Sequence, residues 1–266
     1  MLNQTRTLLI DGDIFVYRIS AANEKPIDWG NDFWTLHSDL SECRNSLDSM
    51  IAEYKEKLEA DDIILAFSPA RNFRYRVYPS YKSNRKGKRK PVCYVPLKQY
   101  ALDNYKSFQR PDIEGDDVMG ILATSPLIVK GEKVVVSLDK DLKTIPGLIC
   151  DMRDPITIKE VSEADANYQH MYQTLIGDTS DGYPGCPGIG PKSAEKLLAV
   201  TDKTYETMWP VVVKAYEKVG LNEEVALVQA QIARICRRGD YDFLKKEVIL
   251  WQPPKEQIAY ADTSSM

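Results

Sequence analysis

Several chemistries are excluded by what this chain of 266 residues lacks. No window approaches the roughly 18 consecutive apolar residues of a membrane span, and the apolar runs are as short as VVV at 134–136. The start, MLNQTRTLLIDGD, has an apolar run of only four residues that ends in aspartate, which is no signal-peptide layout. Five cysteines (Cys43, Cys93, Cys150, Cys186 and Cys236) stand singly, without a CxxC pair. That odd count without metal spacing argues against a zinc site and for reduced thiols in a cytoplasmic protein. Histidine is scarce: His37 and His170 lie in no ligand spacing and are expected in surface or packing roles. There is no GxxxxGK[ST] phosphate loop and no nucleophile elbow.

One absence is local. Residues 63–102 contain no Asp or Glu, yet they hold ten Lys or Arg: Arg71, Arg74, Arg76, Lys82, Arg85, Lys86, Lys88, Arg89, Lys90 and Lys98. A window of +10 inside a chain of −4 leaves −14 on everything else. Charge segregated in this way points to a polyanion held by one region and something cationic held by the other.

What is present suits a folded core, since 43% of the residues are apolar. Residues 7–10 (TLLI), 63–67 (IILAF), 133–138 (KVVVSL) and 148–151 read as strands. Residues 38–59 form an amphipathic helical pattern, and 116–123 a helix start. Strands alternating with helices predict an α/β fold with a mostly parallel central sheet flanked by helices. The basic window is broken by Pro79, Gly87, Pro91 and Pro96 and reads as loop or short helices. After about residue 160 the pattern turns helical, at 163–176, 192–198, 204–219 and 223–237, with a short strand at 248–251. The expected division is an α/β domain over 1–160 with a basic region at about 71–110, a helical subdomain over 161–252, and a polar tail at 253–266.

Acidic residues gather where a parallel sheet keeps its functional loops, beyond the carboxyl ends of the strands. Asp11 follows the first strand, and Asp139 and Asp141 the third. EGDDVMG crowds Glu114, Asp116 and Asp117 onto one helix start, and GDTSDG repeats the spacing with Asp178 and Asp181. Each cluster alone can be a helix cap or a solvated turn. Together they predict convergence on hard divalent cations, Mg²⁺ or Mn²⁺, two of which form the usual clamp for phosphodiester hydrolysis.

The basic window interleaves Phe73, Tyr75, Tyr78 and Tyr81 with its cations, which suits phosphate neutralisation and base stacking. In CPGIGPKSAEKLL, Gly188, Ile189 and Gly190 lead into a helix start with Lys192 and Ser193. That is the helix–hairpin–helix type of turn, whose backbone amides meet a duplex phosphate without reading sequence.

In their order, LLIDGD, FRYRVYPSYKSNRK, EGDDVMG, SLDKDLKTI and IGDTSDGYPGCPGIGPKSAEKLL resemble the 5′-nuclease family over residues 8–198. That family comprises flap endonucleases, the 5′-nuclease domains of bacterial DNA polymerases and phage 5′→3′ exonucleases, on a PIN-like fold with a helix–3-turn–helix subdomain. The length, EGDDVMG and KKEVILWQP look most like the short exonucleases of lytic phages. The resemblance implies metal carboxylates at Asp11, Glu114, Asp116, Asp117, Asp139, Asp141, Asp178 and Asp181. It implies Lys82 and Arg85 as the catalytic cations of an arch, and DNA contacts from Arg74, Tyr81, Lys86, Gly188, Ile189, Gly190, Lys192 and Ser193. It also implies K⁺ held by carbonyls of the 188–194 loop.

One departure stands out: AFSPARNFR carries Ser68 and Pro69 where the family has a metal-binding aspartate. Simple absence with weaker metal binding is expected, rather than compensation by Asp13. The function expected is a Mg²⁺-dependent 5′→3′ exonuclease of duplex DNA with flap and RNase H-like activity on RNA–DNA hybrids. It is expected to act as a monomer, in the host cytoplasm if of phage origin. The rivals are a non-catalytic helix–hairpin–helix DNA-binding protein and a PIN-type ribonuclease, which leaves GIGPKSAEKLL unexplained.

Overall fold

The central strands are short aliphatic runs apolar on both faces, as a sheet covered by helices on each side requires. The computed structural model describes residues 5–254, so of the expected tail only Pro253 and Pro254 fall within it. In chain order, β1 (Arg6–Asp11) runs into α1 (Gly12–Ala22), a hairpin of β2 (Lys25–Asp28) and β3 (Trp34–His37), α2 (Leu40–Lys57) and β4 (Asp62–Phe67). The basic window then holds α3 (Arg74–Val77), a 3-10 turn at Ser83–Arg85 and α4 (Tyr94–Asn104), before β5 (Ser107–Gln109) and α5 (Gly115–Thr124). β6 (Glu132–Ser137), a 3-10 turn at Lys140–Thr144, β7 (Gly147–Asp151) and β8 (Ile158–Val161) complete the sheet. Four helices follow, α6 (Glu163–Ile176), α7 (Pro191–Leu198), α8 (Tyr205–Glu217) and α9 (Glu223–Ala233), and then a small hairpin of β9 (Tyr241–Asp242) and β10 (Glu247–Val248).

The six-stranded sheet has the order β5-β4-β1-β6-β7-β8, parallel except for β8. Its side chains alternate strictly. Leu8, Ile10, Leu65 and Val136 pack on one face with Phe15, Leu47 and Leu97. Leu9, Ile64, Ala66 and Val135 pack on the other with Met119, Ile121 and Leu122. Because β5, β4, β1, β6 and β7 run parallel, their carboxyl-terminal loops gather at one edge of the sheet. A third core, built on Met171, Leu175, Met208, Val212 and Tyr216, holds the helices after residue 160 together.

Several elements differ from the sequence reading: β5 and β8 were not expected, and α9 ends at Ala233 where a helix to residue 237 was expected. α1 begins at the residue after β1, because Asp11 ends the strand and caps the helix at once. The hairpin of β2 and β3 was not expected, and it turns through three consecutive positive-φ residues, Gly30, Asn31 and Asp32. Within the basic window, α4 is a regular helix of 11 residues, since Pro96 falls in its first turn, where a missing N–H costs nothing. His170 is a packed core residue: Nε2 lies 2.8 Å from Ala230 O, Nδ1 lies 3.0 Å from the Tyr205 hydroxyl, and burial pushes its pKa well down. No described helix is long and apolar enough to cross a membrane.

Candidate active site

Each acidic residue is placed by an ordinary local device at the carboxyl edge of the sheet. Asp11 caps α1, accepting from Ile14 N at 3.0 Å, while its other oxygen accepts from Ser137 Oγ at 3.0 Å. Glu114 caps α5 in a reciprocal box with Asp117. Asp139 follows β6 and accepts from Asp141 N at 2.8 Å, which winds the 3-10 turn carrying Asp141. The 177–186 loop doubles back so tightly that a Cβ on Gly177 would sit 2.5 Å from Gly185 N. Inside it, Asp178 accepts from the amides of Ser180 and Asp181 at 2.6 and 3.1 Å.

These devices bring Glu114, Asp116, Asp139, Asp141 and Asp181 around one cavity of about 20 Å³, with Tyr81 and Tyr183 in its wall. Burial pushes Asp11 up to about 7, with Asp13 and Asp139 adding repulsion. Burial, then the charges of Asp11, Asp139 and Glu114, raise Asp116 well above the carboxylate range. Asp141 is likewise pushed to about 7 by burial and by Asp139 and Asp178. Burial raises Asp139 in the same direction. Asp141 Oδ1 is buried and meets no hydrogen-bond donor among the described residues. Crowded, buried, partly orphaned carboxylate oxygens are the donor chemistry of a hard divalent cation.

The cavity rim is cationic. Lys82 Nζ lies 2.7 Å from Glu114 Oε1 and 3.6 Å from Asp181 Oδ2, and Arg85 pairs with Asp181. The Tyr81 hydroxyl lies 2.8 Å from both Glu114 Oε2 and Asp181 Oδ2. Lys82 also holds a left-handed backbone (φ 52°), a strain of order 1–3 kcal/mol. Its amide donates to Asp181 O at 2.7 Å, stitching the basic window to the GDTSDG loop. Among the described residues, no three His, Cys, Asp or Glu side chains close around a single point. Asp11, Asp116, Asp139 and Asp141 offer crowded oxygens of the kind a hard cation takes, whereas those of Glu114 and Asp181 also pair with Lys82 and Arg85 of the basic window.

Three sequence expectations change. Asp117 is fully buried and faces away from the cavity set. The Arg74 guanidinium forks onto it at 2.6 and 2.8 Å, and the amides of Glu114 and Cys236 donate to it at 2.9 and 3.0 Å. Four donors leave it no lone pair suited to an ion, and Arg74 lowers its pKa although burial opposes this. Arg74, expected on DNA, is 3% exposed and spent in that ion pair. Tyr81, expected on DNA, is 2% exposed and bonds the carboxylates instead. Deep burial of the two side chains in an acidic wall is the physical reason. Asp178 sits between the sets: burial raises its pKa, but Ser180, Lys140 and the Asp181 amide bring it down.

Asp13 has both oxygens taken, by Tyr94 and Lys98 at 2.9 Å each and by the Ser68 amide at 2.7 Å. Ser68 Oγ accepts from Gly115 N at 2.9 Å, so the departure from the family pattern is a helix-start contact here. Lys86 is exposed, as are Gly188, Gly190, Lys192 and Ser193, and Ile189 is half-buried. Among the described residues no side chain caps α7, which leaves its first amides free for a phosphate. Residues missed from sequence include Ser137, which holds Asp11, and Lys140, 3.2 Å from Asp178; only Lys140 carried a signal, being the centre of DKD.

Comparison with known proteins bears on the family and the fold. Residues 6–169 match the family model described as "5'-3' exonuclease, N-terminal resolvase-like domain". The exonuclease of Escherichia phage T7 is 33% identical, with 92% of this chain and 93% of that protein aligned. The flap endonuclease Xni of Shewanella pealeana is 26% identical over 86% of this chain and 91% of its own. The solved T5 5'-exonuclease with bound divalent metal ions (zinc) superposes with a TM-score of 0.66 at 16% identity, over 86% of this chain and 89% of its own, a likeness of fold.

Proposed function

The chain belongs to the 5′-3′ exonuclease family and is a DNA hydrolase of the exonuclease and flap-endonuclease class, and from that premise we propose how its site works. The substrate is duplex DNA with a 5′ end, nick or flap, and RNA–DNA hybrids are cut in the same way by a monomer. The observation that carries the reading is the set of buried, mutually repelling carboxylates of Asp11, Asp116, Asp139 and Asp141 beside a cavity of about 20 Å³.

These four, with Glu114, Asp178 and Asp181, would hold two Mg²⁺ (or Mn²⁺) ions, which when bound would supply Lewis acidity toward water and the leaving 3′ oxygen. The protein's own residues do the rest. The carboxylates fix where the attacking water sits relative to the phosphodiester. Lys82 and Arg85, at the rim of the same cavity, offset the charge on the phosphate once their present partners, Glu114 and Asp181, are engaged elsewhere. The duplex behind the cut rests on residues 161–252, through the open amides at the start of α7 and the charge of Lys192. Carbonyls of the 188–194 loop would hold K⁺ in this reading. With Ser68 in place of a carboxylate, the ions bind more weakly than a full ligand set would allow.

Incubation with 5′- and 3′-labelled duplex, nicked and flapped DNA, with and without Mg²⁺, tests this. The expected result is early release of the 5′ label only, abolished by chelator. Binding without any product would support the non-catalytic reading, and cleavage in chelator would overturn the metal-dependent one.

A further inference from the structure

We infer that residues 232–238, the segment leaving α9, form a positioning strap that sets the carboxylates of α5 against those of the 139–144 turn. The inference rests on the ion-site reading above. One arm of the strap holds α5. Ile232 O and Arg234 O accept from Arg74 at 2.9 and 2.7 Å, Arg74 forks onto Asp117, and Cys236 N donates to Asp117 at 3.0 Å. Asp117 in turn accepts from the Glu114 amide, so the helix start bearing Glu114 and Asp116 is pinned from behind. The contact is close: a Cβ added to Gly120 of α5 would lie 2.2 Å from Cys236 O.

The other arm holds the acidic turn. Arg237 donates from Nε and Nη2 to Thr144 O at 3.1 and 2.7 Å, and from Nη1 to Asn167 Oδ1 at 2.8 Å. Thr144 is the last residue of the 3-10 turn, and its hydroxyl donates to Asp141 O at 2.8 Å. Asp240 keeps the strap in shape by accepting from Arg234 Nε and Arg237 N at 2.9 and 2.8 Å.

Without such a tie, the two elements have reason to part. Their carboxylates are buried and like-charged, and so repel across the cavity. The strap joins both elements through groups that touch none of the cavity carboxylates except Glu114, which Arg74 approaches at 3.4 Å. Arg237 is therefore a positioning residue, remote from any reacting atom.

The test is calorimetric titration of Mn²⁺ into wild-type, Arg237→Gln and Arg237→Lys proteins shown to be folded by circular dichroism. It is paired with steady-state cleavage of 5′-labelled duplex at limiting and saturating Mn²⁺. Loss of a partner that orients ligands typically weakens metal binding at least about tenfold. Arg237→Gln should show that loss, with an unchanged KM for DNA and a kcat that recovers as Mn²⁺ saturates. Arg237→Lys, which keeps the charge without the fork, should fall between, and it carries the test if Arg237→Gln does not fold. Wild-type Mn²⁺ affinity in a folded variant, whether or not its melting temperature falls, overturns the strap. Failure of the wild-type protein itself to take up Mn²⁺ overturns the ion-site reading on which the strap depends.

Discussion

Asp116 and Asp117 are neighbours on the first turn of α5, yet they belong to two regions with opposite electrostatics. In front, Asp116 lines the cavity with Asp139 and Asp141, whose pKa values are raised like its own, and among the described residues it pairs with no guanidinium. Behind, Asp117 sits in a knot where one guanidinium and two amides saturate it. Both are buried, so burial does not separate them; compensation does. A carboxylate paired by the protein holds the fold, and one left crowded is available to a ligand.

The largest expected difference is in rate. Asp116→Asn or Asp139→Asn removes an ion ligand worth several kcal/mol of transition-state stabilisation, so cleavage of 5′-labelled duplex in Mg²⁺ should fall roughly a thousandfold. Near wild-type rates would dissolve the distinction between the two regions. Behind the cavity, Arg74→Ala leaves the Asp117 charge buried and unpaired, a loss of about 3–5 kcal/mol by urea unfolding. A loss no greater than that of an ordinary surface variant would show the knot to be solvated.

A smaller effect is pH dependence in chelator. The front carboxyls have raised folded pKa values, with Asp11 and Asp141 near 7, so the stability they confer is present in acid and lost as pH climbs through about 7. Asp117 and Asp178 are lowered, and their stability is lost only as pH falls below the ordinary carboxylate range. Metal-free protein should therefore melt higher near pH 5.5 than near pH 8, and Mg²⁺ should narrow the gap by replacing protons with ions. A flat profile would mean the front carboxylates are not crowded in solution. The smallest effect concerns the glycine loop: Lys192→Ala should reduce the salt slope of duplex binding by about 1 without changing cleavage chemistry. An unchanged slope would remove Lys192 from the interface.

Four of the sheet's six strands and the acidic clusters were legible because they rest on local signals, while β5 and β8 were not. TLLI, IILAF and KVVVSL are short aliphatic runs, and each ends where a strand must end. The partition within EGDD was not legible. Asp116 and Asp117 have the same side chain on the same turn, and their fates are decided by Arg74, some 40 residues earlier, and by a backbone amide at Cys236, 119 residues later. For the same reason Arg74 and Tyr81 read as DNA contacts: a basic and aromatic run carries no mark of which members face inward. Ser68 was visible as a departure, but its bond to Gly115 N required the fold.

The most direct test of the account compares urea unfolding of Asp116→Asn and Asp117→Asn proteins at pH 8 in chelator. Replacing Asp116 relieves repulsion, so that variant should be at least as stable as wild type. Replacing Asp117 breaks the pair with Arg74, so that variant should be less stable by an amount plain in the midpoint. If both substitutions moved stability in the same direction by the same amount, the division into a ligand-facing front and a structural back would be wrong.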